Sequence, residues 1–150
     1  MAAYFLDSSA LVKRYAVETG TAWVTGLIAP AAGNLVLITG VETVAALARK
    51  RRGNLLSQAD AATALATLHK ELAGLFVTVE VTAALLTSAT DLAEKHALRG
   101  YDAVQLAAAI EANGERLKHN LAPLMLVTAD KELLGAATTE GLATDDPNNH

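Results

Sequence analysis

Short apolar runs alternate with longer polar-and-apolar segments along this chain. The runs are about four to six residues long and rich in Val, Ile, Leu, Phe and Thr, a pattern that favours buried β-strands. Continuous apolar strands are typical of a parallel sheet with both faces covered by helices. The runs predict strands at residues 3–6, 35–38, 76–81 and 124–127, with a weak fifth strand at the sheet edge over 141–143.

Helix start and stop signals occupy the segments between these runs. Ser57, for example, has Asp60 three residues later, as in a partial capping box, while Gly53 and Asn54 close the preceding helix. A turn at Gly33-Asn34 separates the second helix from the second strand. The predicted helices cover residues 8–15, 18–28, 41–52, 57–72, 82–97, 102–118 and 130–138, and a polar tail follows over 145–150.

This alternation predicts an α/β fold, specifically a three-layer α/β/α sandwich around a central, mainly parallel sheet of four to five strands. The sequence has no internal repeat and no low-complexity linker, so we predict one domain over residues 1–150. Hydrophobic residues make up 52% of the chain and the mean hydropathy is +0.29, which argues against disorder.

The apolar runs are shorter than the roughly 18 residues of a membrane helix, and the N-terminus has no basic segment typical of a signal peptide. We therefore predict a soluble, cytoplasmic protein without a membrane partner. The absence of Cys excludes disulfides, thiolate catalysis and zinc–thiolate sites. The four histidines have no short ligand spacing, and we predict that they are exposed on helices.

Four acidic residues stand where an apolar run ends or a helix begins. Asp7 and Asp130 each follow a predicted strand, whereas Glu42 and Asp102 each lie in the first turn of a helix. Such positions can meet at the carboxyl edge of a parallel sheet, where ligands usually bind. Converging carboxylates repel one another unless a cation neutralises them, and hard cations prefer oxygen ligands. The pattern therefore predicts a Mg²⁺ site, with Mn²⁺ as the alternative.

A metal site of this kind suits phosphodiester hydrolysis, because the metal lowers the pKa of a bound water and offsets charge on the phosphate. Each acid taken alone also has an ordinary explanation. Asp7 and Asp130 are good helix N-caps, and acids in the first turn of a helix complement its dipole. The functional interpretation depends on all four acids gathering at one place.

Four segments, each holding one of these acids, resemble the motifs of PIN-domain nucleases. They are residues 4–13 around Asp7, 41–47 around Glu42, 99–107 around Asp102 and 126–133 around Asp130, with the second the least specific. The resemblance spans almost the whole chain. The short length and the lack of further domains are most similar to the VapC toxins of bacterial and archaeal toxin–antitoxin pairs.

The resemblance implies a Rossmann-like sandwich and a Mg²⁺- or Mn²⁺-dependent endoribonuclease that hydrolyses RNA. It also implies a cognate antitoxin bound near the active site, and a homodimer. Carried onto this sequence, the catalytic and metal-binding acids would be Asp7, Glu42, Asp102 and Asp130. Ser8, Ser9 and Thr128 would be polar neighbours that orient acids or waters.

Positive charge is sparse and concentrated. The net charge is −4, so the chain lacks the basic character typical of nucleic-acid binders, but Lys13, Arg14 and residues 49–52 form two basic clusters. Arg49 lies seven residues after Glu42, about two helical turns along nearly the same face, where it could contact an RNA phosphate. The equally physical alternative is that cations at a helix C-terminus complement its dipole. Lys13 and Arg14 are weaker candidates for RNA contacts.

Two other functional classes are compatible with parts of the pattern. A phosphoacceptor receiver domain also places an Asp after a strand, but it needs an acidic pair after the first strand and a Lys after the last, which this sequence lacks. A non-catalytic module that uses the acids to hold a metal and binds another protein is not excluded by the sequence.

Overall fold

The computed structural model describes residues 1–150 as one parallel sheet with helices on both faces. The strands are β1 (Ala3–Leu6), β2 (Leu35–Ile38), β3 (Val77–Thr78), β4 (Met125–Val127) and β5 (Ala143–Asp145). The helices are α1 (Ser8–Leu11), α2 (Thr21–Ile28), α3 (Val41–Arg52), α4 (Gln58–Leu72), α5 (Ala83–His96), α6 (Gly100–Lys118) and α7 (Lys131–Thr139), and 3₁₀ turns occupy Val12–Arg14, Pro30–Ala32 and Pro147–Asn149.

The sheet has the strand order β3-β2-β1-β4-β5, and every neighbouring pair is parallel. The chain moves outward from β1 to β3 and then returns to the other side of β1, so the order reverses between β1 and β4. Ligands of open α/β sheets bind outside the carboxyl ends of the strands at such a reversal. Receiver domains have the order 2-1-3-4-5 instead, and the observed order excludes that alternative.

Side chains of successive strand residues enter different cores, as expected when both faces of a strand are buried. In β1, Ala3 and Phe5 join one core, with α5, α6 and α7, while Leu6 joins the other, with α1 to α4. In β2 the same alternation separates Leu37 from Val36 and Ile38. Two cores, one on each side of the sheet, confirm the predicted three-layer α/β/α fold.

The predicted element boundaries differ from the structure in several places. The first helix is one α-helical turn that continues as the 3₁₀ turn, and the second starts at Thr21 because Glu18 lies in the preceding loop. Of the predicted strand 76–81, only Val77 and Thr78 pair with β2. These two residues form the exposed edge of the sheet, and the pairing ends with one further hydrogen bond, from the Val79 backbone N–H to the Ile38 carbonyl oxygen at 2.9 Å.

The predicted polar tail is part of the fold. Asp145 belongs to β5, and Asp146 is 3% exposed and pairs with Lys131 Nζ at 2.8 Å. The ring of His150 stacks on Trp23 with centroids 4.1 Å apart. Of the four histidines predicted to be exposed on helices, His69 and His119 are exposed, and His150 is exposed but lies after the last 3₁₀ turn. The prediction is wrong at His96, which is half-buried and contacts Glu140 Oε1 at 2.6 Å. These contacts join distant parts of the chain, and no local pattern encodes them.

None of the seven helices combines the length and the apolar character that crossing a bilayer would require.

Candidate active site

A cleft of about 190 Å³ opens beside the carboxyl ends of β1 and β4, at the reversal of strand order. Four separate parts of the chain bring acids to it: Asp7 follows β1, Glu42 begins α3, Asp102 begins α6 and Asp130 follows β4. The fold therefore gathers all four acids that the sequence singled out. The remaining lining residues are Ser8, Ser9, Val12, Ala46, Arg49 and Arg99.

Asp7 is the most buried of the four acids, at 2% exposure. Its Oδ1 accepts hydrogen bonds from the Ala10 backbone N–H at 3.1 Å and the Ser9 hydroxyl at 2.8 Å, so it also caps α1. Burial raises the pKa of Asp7 to about 7, although the hydrogen bonds from Ser9 and Ala10 act in the opposite direction. A cation beside this carboxylate would remove the cost of its charge.

Ser9 and Thr128 link the two strand ends that carry Asp7 and Asp130. The Ser9 hydroxyl, bound to Asp7, accepts the Ala129 backbone N–H at 2.9 Å. Thr128 Oγ1 accepts the Asp130 backbone N–H at 3.0 Å and lies 3.4 Å from Ser9 Oγ. These two hydroxyls orient the acids, whereas Ser8 lines the cleft. The resemblance to PIN-domain motifs had implied all three as polar neighbours of the acids.

Asp130 is both a cap and a cleft residue. Its Oδ1 accepts the backbone N–H groups of Glu132 and Leu133, each at 2.9 Å, and so begins α7. Neither of these bonds uses Oδ2. Asp130 therefore acts as a helix N-cap, as its position in the sequence suggested, and this capping uses only one of its two carboxylate oxygens.

Glu42 has a buried carboxylate oxygen with no partner. Its Oε2 is inaccessible to solvent and makes no hydrogen bond, while Oε1 lies 4.0 Å from Arg49 Nη2. A buried, unpaired charged oxygen is costly, and native structures rarely keep one without a reason. An ion in the cleft is a direct physical reason.

Asp102 shows the mutual repulsion of the cluster. Burial, followed by the charges of Asp130 and Glu42, raises the pKa of Asp102 above its ordinary value, while the nearby Arg99 acts in the opposite direction. Like charges that influence one another in a partly buried cleft favour the binding of a neutralising cation.

The donor set fits a hard cation such as Mg²⁺, because it consists of carboxylate oxygens with Ser hydroxyls beside them. The unpaired Glu42 oxygen and the raised pKa of Asp7 agree with that assignment. The carboxylates line one cleft but stand apart: no three Asp, Glu or His side chains lie close enough together to share an ion. The oxygen-rich lining of the cleft therefore fits hard divalent cations as a class.

Two arginines line the acidic cleft. Arg49 is 57% exposed by side chain and lies on the same face of α3 as Glu42. Arg99 precedes α6 directly at its N-cap and was missed as a candidate in the sequence. The available signal was its position three residues before Asp102, inside the same motif. Arg49 and Arg99 are the two cations whose side chains line this cleft.

Lys13 and Arg14 have other partners. Lys13 is 4% exposed, and its Nζ donates to the Thr19 carbonyl oxygen at 2.8 Å and to Asn148 Oδ1 at 2.9 Å. Arg14 forms a two-pronged ion pair with Glu71, at 2.9 and 2.6 Å. Neither side chain lines the cleft, and the contacts of both hold distant parts of the fold together.

Glu71 should contribute strongly to stability through these contacts. It pairs with Arg14 and also accepts the Tyr15 hydroxyl at 2.5 Å, and the side chains of the ion pair are only 15–17% exposed. Replacing Glu71 by Ala would leave the guanidinium and the phenol without their acceptor. We expect the free energy of unfolding, measured with urea, to fall by roughly 2–4 kcal/mol.

Glu115→Ala is the matched control, because the Glu115–Lys118 pair has a similar 2.6 Å distance but is exposed at the surface. Exposed pairs add little to stability, so this variant should unfold at the wild-type urea concentration. Equal destabilisation by the two substitutions would contradict the role assigned to Glu71.

The all-parallel sheet and the acidic cleft at its switch point define a doubly wound α/β protein with a carboxylate-lined ligand site. A family model for the PIN domain matches residues 4–137, and the chain therefore belongs to the PIN-domain family. This confirms the resemblance in the sequence motifs. The PIN domain is a nuclease fold that often occurs in the toxins of toxin–antitoxin pairs, and its members typically use divalent metals.

The solved structures include similar chains. The crystal structure of PAE2754 from Pyrobaculum aerophilum is 27% identical, with a TM-score of 0.66 over 99% of this chain and 92% of that one. A weaker match is FitAcB from Neisseria gonorrhoeae, at 19% identity and a TM-score of 0.49 over 96% of this chain and 97% of that one. No curated protein matches the chain.

Proposed function

We propose that this protein is a divalent-metal-dependent endoribonuclease. The observation that supports it best is the gathering of Asp7, Glu42, Asp102 and Asp130 at the switch point of a PIN-domain sheet. In this proposal the four side chains, which line one cleft but stand apart in the structure, would move together to hold Mg²⁺ or Mn²⁺. When bound, such an ion would supply a water of lowered pKa and offset the charge that develops on the phosphate.

The chain's own residues prepare the site in three ways. Ser9 and Thr128 fix the orientation of Asp7 and of the Asp130 backbone. The burial that raises the pKa of Asp7 also makes its ionised form depend on a neighbouring positive charge. Because water and not the RNA 2′-hydroxyl is the proposed nucleophile, we expect products with a 5′-phosphate and a 3′-hydroxyl.

The direct test is incubation of the purified chain with end-labelled single-stranded RNA in the presence of Mg²⁺, Mn²⁺ or EDTA. Cleavage should occur with either metal and stop with EDTA. Cleavage that continues in EDTA would contradict the metal-dependent mechanism. Tight metal binding without any cleavage of RNA would favour the alternative of a non-catalytic metal- and protein-binding module.

Arg99 should contact a phosphate of the RNA near the cut. It lines the cleft, and the only anions near it are the acids of the cleft. In Arg99→Ala, we expect KM for RNA to rise several-fold. The slope of log KM against log salt concentration should become smaller by about 0.7, because one phosphate contact is lost. Arg49→Ala should behave in the same way. The measurement is initial cleavage rate against RNA concentration at several salt concentrations.

Lys118→Ala is the control for these arginine variants, because Lys118 is an exposed cation at the far end of α6, outside the cleft. Its KM and salt slope should equal those of the wild type. If Lys118→Ala and Arg99→Ala changed the salt slope of KM equally, the attraction of RNA to the protein would come from its total charge and not from a contact in the cleft.

We further propose that the protein is the toxin of a toxin–antitoxin pair, which forms a homodimer and is inhibited by a cognate antitoxin. Membership of the PIN-domain family and the likeness of the four motifs to those of VapC toxins support this assignment. Induced expression should arrest growth, and co-expression of the small open reading frame next to its gene should restore it. Growth at the normal rate during expression of a cleaving enzyme would contradict the toxin assignment alone.

A further inference from the structure

A buried hydrogen bond joins the turn before Glu42 to the helix that carries Asp102. Thr39 Oγ1 donates to Gln105 Oε1 at 2.9 Å. The two residues are 5% and 2% exposed, so the bond is shielded from water. Thr39 directly follows β2, and Gln105 lies one helical turn after Asp102 on α6. The bond therefore bridges two of the four elements that form the cleft.

The turn on the Thr39 side has little freedom. The Val41 backbone N–H donates to the Thr39 carbonyl oxygen at 2.8 Å, and α3 starts at Val41. Gly40 has a φ of +71°, in the region that favours glycine, and a Cβ there would lie 3.3 Å from Leu72 Cδ2. Because the turn is short and constrained, the position of Thr39 sets the position of Glu42.

The Gln105 side is equally fixed. Asp102 and Gln105 are three residues apart on α6 and share one face of the helix. The helix is buried without interruption from Ala103 to Ala109, mostly through small side chains that allow close packing. The position of Gln105 is therefore tied to that of Asp102, just as the position of Thr39 is tied to that of Glu42.

Two apolar side chains could fill the space that Thr39 and Gln105 occupy. The presence of a polar pair there therefore needs a reason other than packing. Burying a hydroxyl and an amide has a desolvation cost that their mutual hydrogen bond largely offsets, so the net gain in stability is small. The hydrogen bond fixes the distance and the relative orientation of the turn that holds Thr39 and the helix α6 that holds Gln105. The two elements that it joins carry acids of like charge, which repel each other.

We propose that Thr39 and Gln105 are positioning residues that hold Glu42 and Asp102 in the relative arrangement needed to bind a divalent cation. The inference rests on the proposed function of the cleft and extends it to two residues that do not line it. Partners that orient metal-binding side chains typically change metal affinity or activity by roughly 10- to 100-fold when they are removed.

The experiment measures Mn²⁺ binding to the full chain by the electron paramagnetic resonance signal of free Mn²⁺. Thr39→Val keeps the side-chain shape and removes the hydroxyl, and Gln105→Met keeps the length and removes the amide. Each should weaken Mn²⁺ binding roughly 10-fold or more. Thr39→Ser restores the hydroxyl and should bind Mn²⁺ like the wild type. In RNA cleavage, kcat of the Val and Met variants should recover at saturating Mn²⁺ with KM for RNA unchanged.

Thr82→Val is the matched control for a purely structural effect. It also removes one threonine hydroxyl, which accepts the Leu85 backbone N–H at 3.1 Å and caps α5 outside the cleft. Thr82→Val should lower Tm without changing Mn²⁺ affinity, whereas Thr39→Val and Gln105→Met should change the affinity at temperatures where circular dichroism shows them folded.

The outcomes separate this inference from the proposed function. Wild-type Mn²⁺ affinity in both Thr39→Val and Gln105→Met, in a protein that binds Mn²⁺ and cleaves RNA, would overturn the positioning role and leave the nuclease assignment intact. A wild-type chain that binds no Mn²⁺ and cleaves no RNA would overturn the proposed function and the positioning role together.

Discussion

Replacing Asp7 by Asn should lower kcat/KM for RNA cleavage by roughly 10³-fold, the scale on which removal of one key electrostatic group acts. Asp7 is the most buried acid of the cleft, so water cannot take the place of its carboxylate when the charge is removed. Asn keeps the size and can still accept the hydrogen bonds from Ser9 and the Ala10 backbone. The expected loss therefore comes from the missing charge and not from a collapsed turn.

The measurement is single-turnover cleavage of labelled RNA with Mg²⁺, for the wild type, Asp7→Asn and a matched Asp91→Asn variant. Asp91 lies on an exposed position of α5, outside the cleft, so its substitution makes the same change of charge without touching the site. Asp91→Asn should cleave at the wild-type rate. An Asp7→Asn variant that kept the wild-type rate would remove Asp7 from the mechanism.

The same Asp7→Asn substitution should make the chain more stable at pH 8 in EDTA. Burial raises the pKa of Asp7 to about 7 from an ordinary value of 3.8, so the folded state binds the proton more tightly than the unfolded state. The contribution of Asp7 to stability is therefore greatest below about pH 4, and it is lost as the pH rises from there through 7, where the buried group becomes charged. A shift of this size corresponds to a gain on the order of 4 kcal/mol for Asn at pH 8.

Urea unfolding in EDTA at pH 8 and near pH 4.5 measures this effect. The gain of Asp7→Asn over the wild type should be large at pH 8 and small near pH 4.5, where the wild-type carboxyl is protonated in the folded state. Mg²⁺ should stabilise the wild type at pH 8 and have much less effect on Asp7→Asn. A variant less stable than the wild type at pH 8 in EDTA would show that the charge of Asp7 is not a cost to the fold.

The alternation of apolar runs and helical segments was sufficient to predict the layers. β1, β2 and β4 lie where their apolar runs indicated, because strands in the middle of a sheet are buried on both faces and need apolar residues throughout. The edge strands were placed less well. β3 shrinks to Val77 and Thr78, and β5 moves to Ala143–Asp145, because an edge strand is defined by the neighbour it pairs with and not by its own hydrophobicity.

The positions of Asp7 and Asp130 could be anticipated, because a residue that follows a parallel strand lies at the carboxyl edge of the sheet. Glu42 and Asp102 were linked to that edge only by their places at the starts of helices and by the motif resemblance. Only its position three residues before Asp102 separated Arg99 from the other cations in the sequence, and the fold places it in the cleft. Lys13 and Arg14 looked like the other basic candidates, yet each has a partner far along the chain: Glu71 lies 57 residues from Arg14, and Asn148 lies 135 residues from Lys13.

The amino-acid order by itself determined the elements, the alternation of faces and the acids at the strand and helix ends, because these depend on residues a few positions apart. The strand order, the burial of Lys13 and Asp146, the unpaired oxygen of Glu42 and the bond from Thr39 to Gln105 were decided only in three dimensions. Burial and partnership depend on which distant segments pack together, and a one-dimensional pattern does not contain that information.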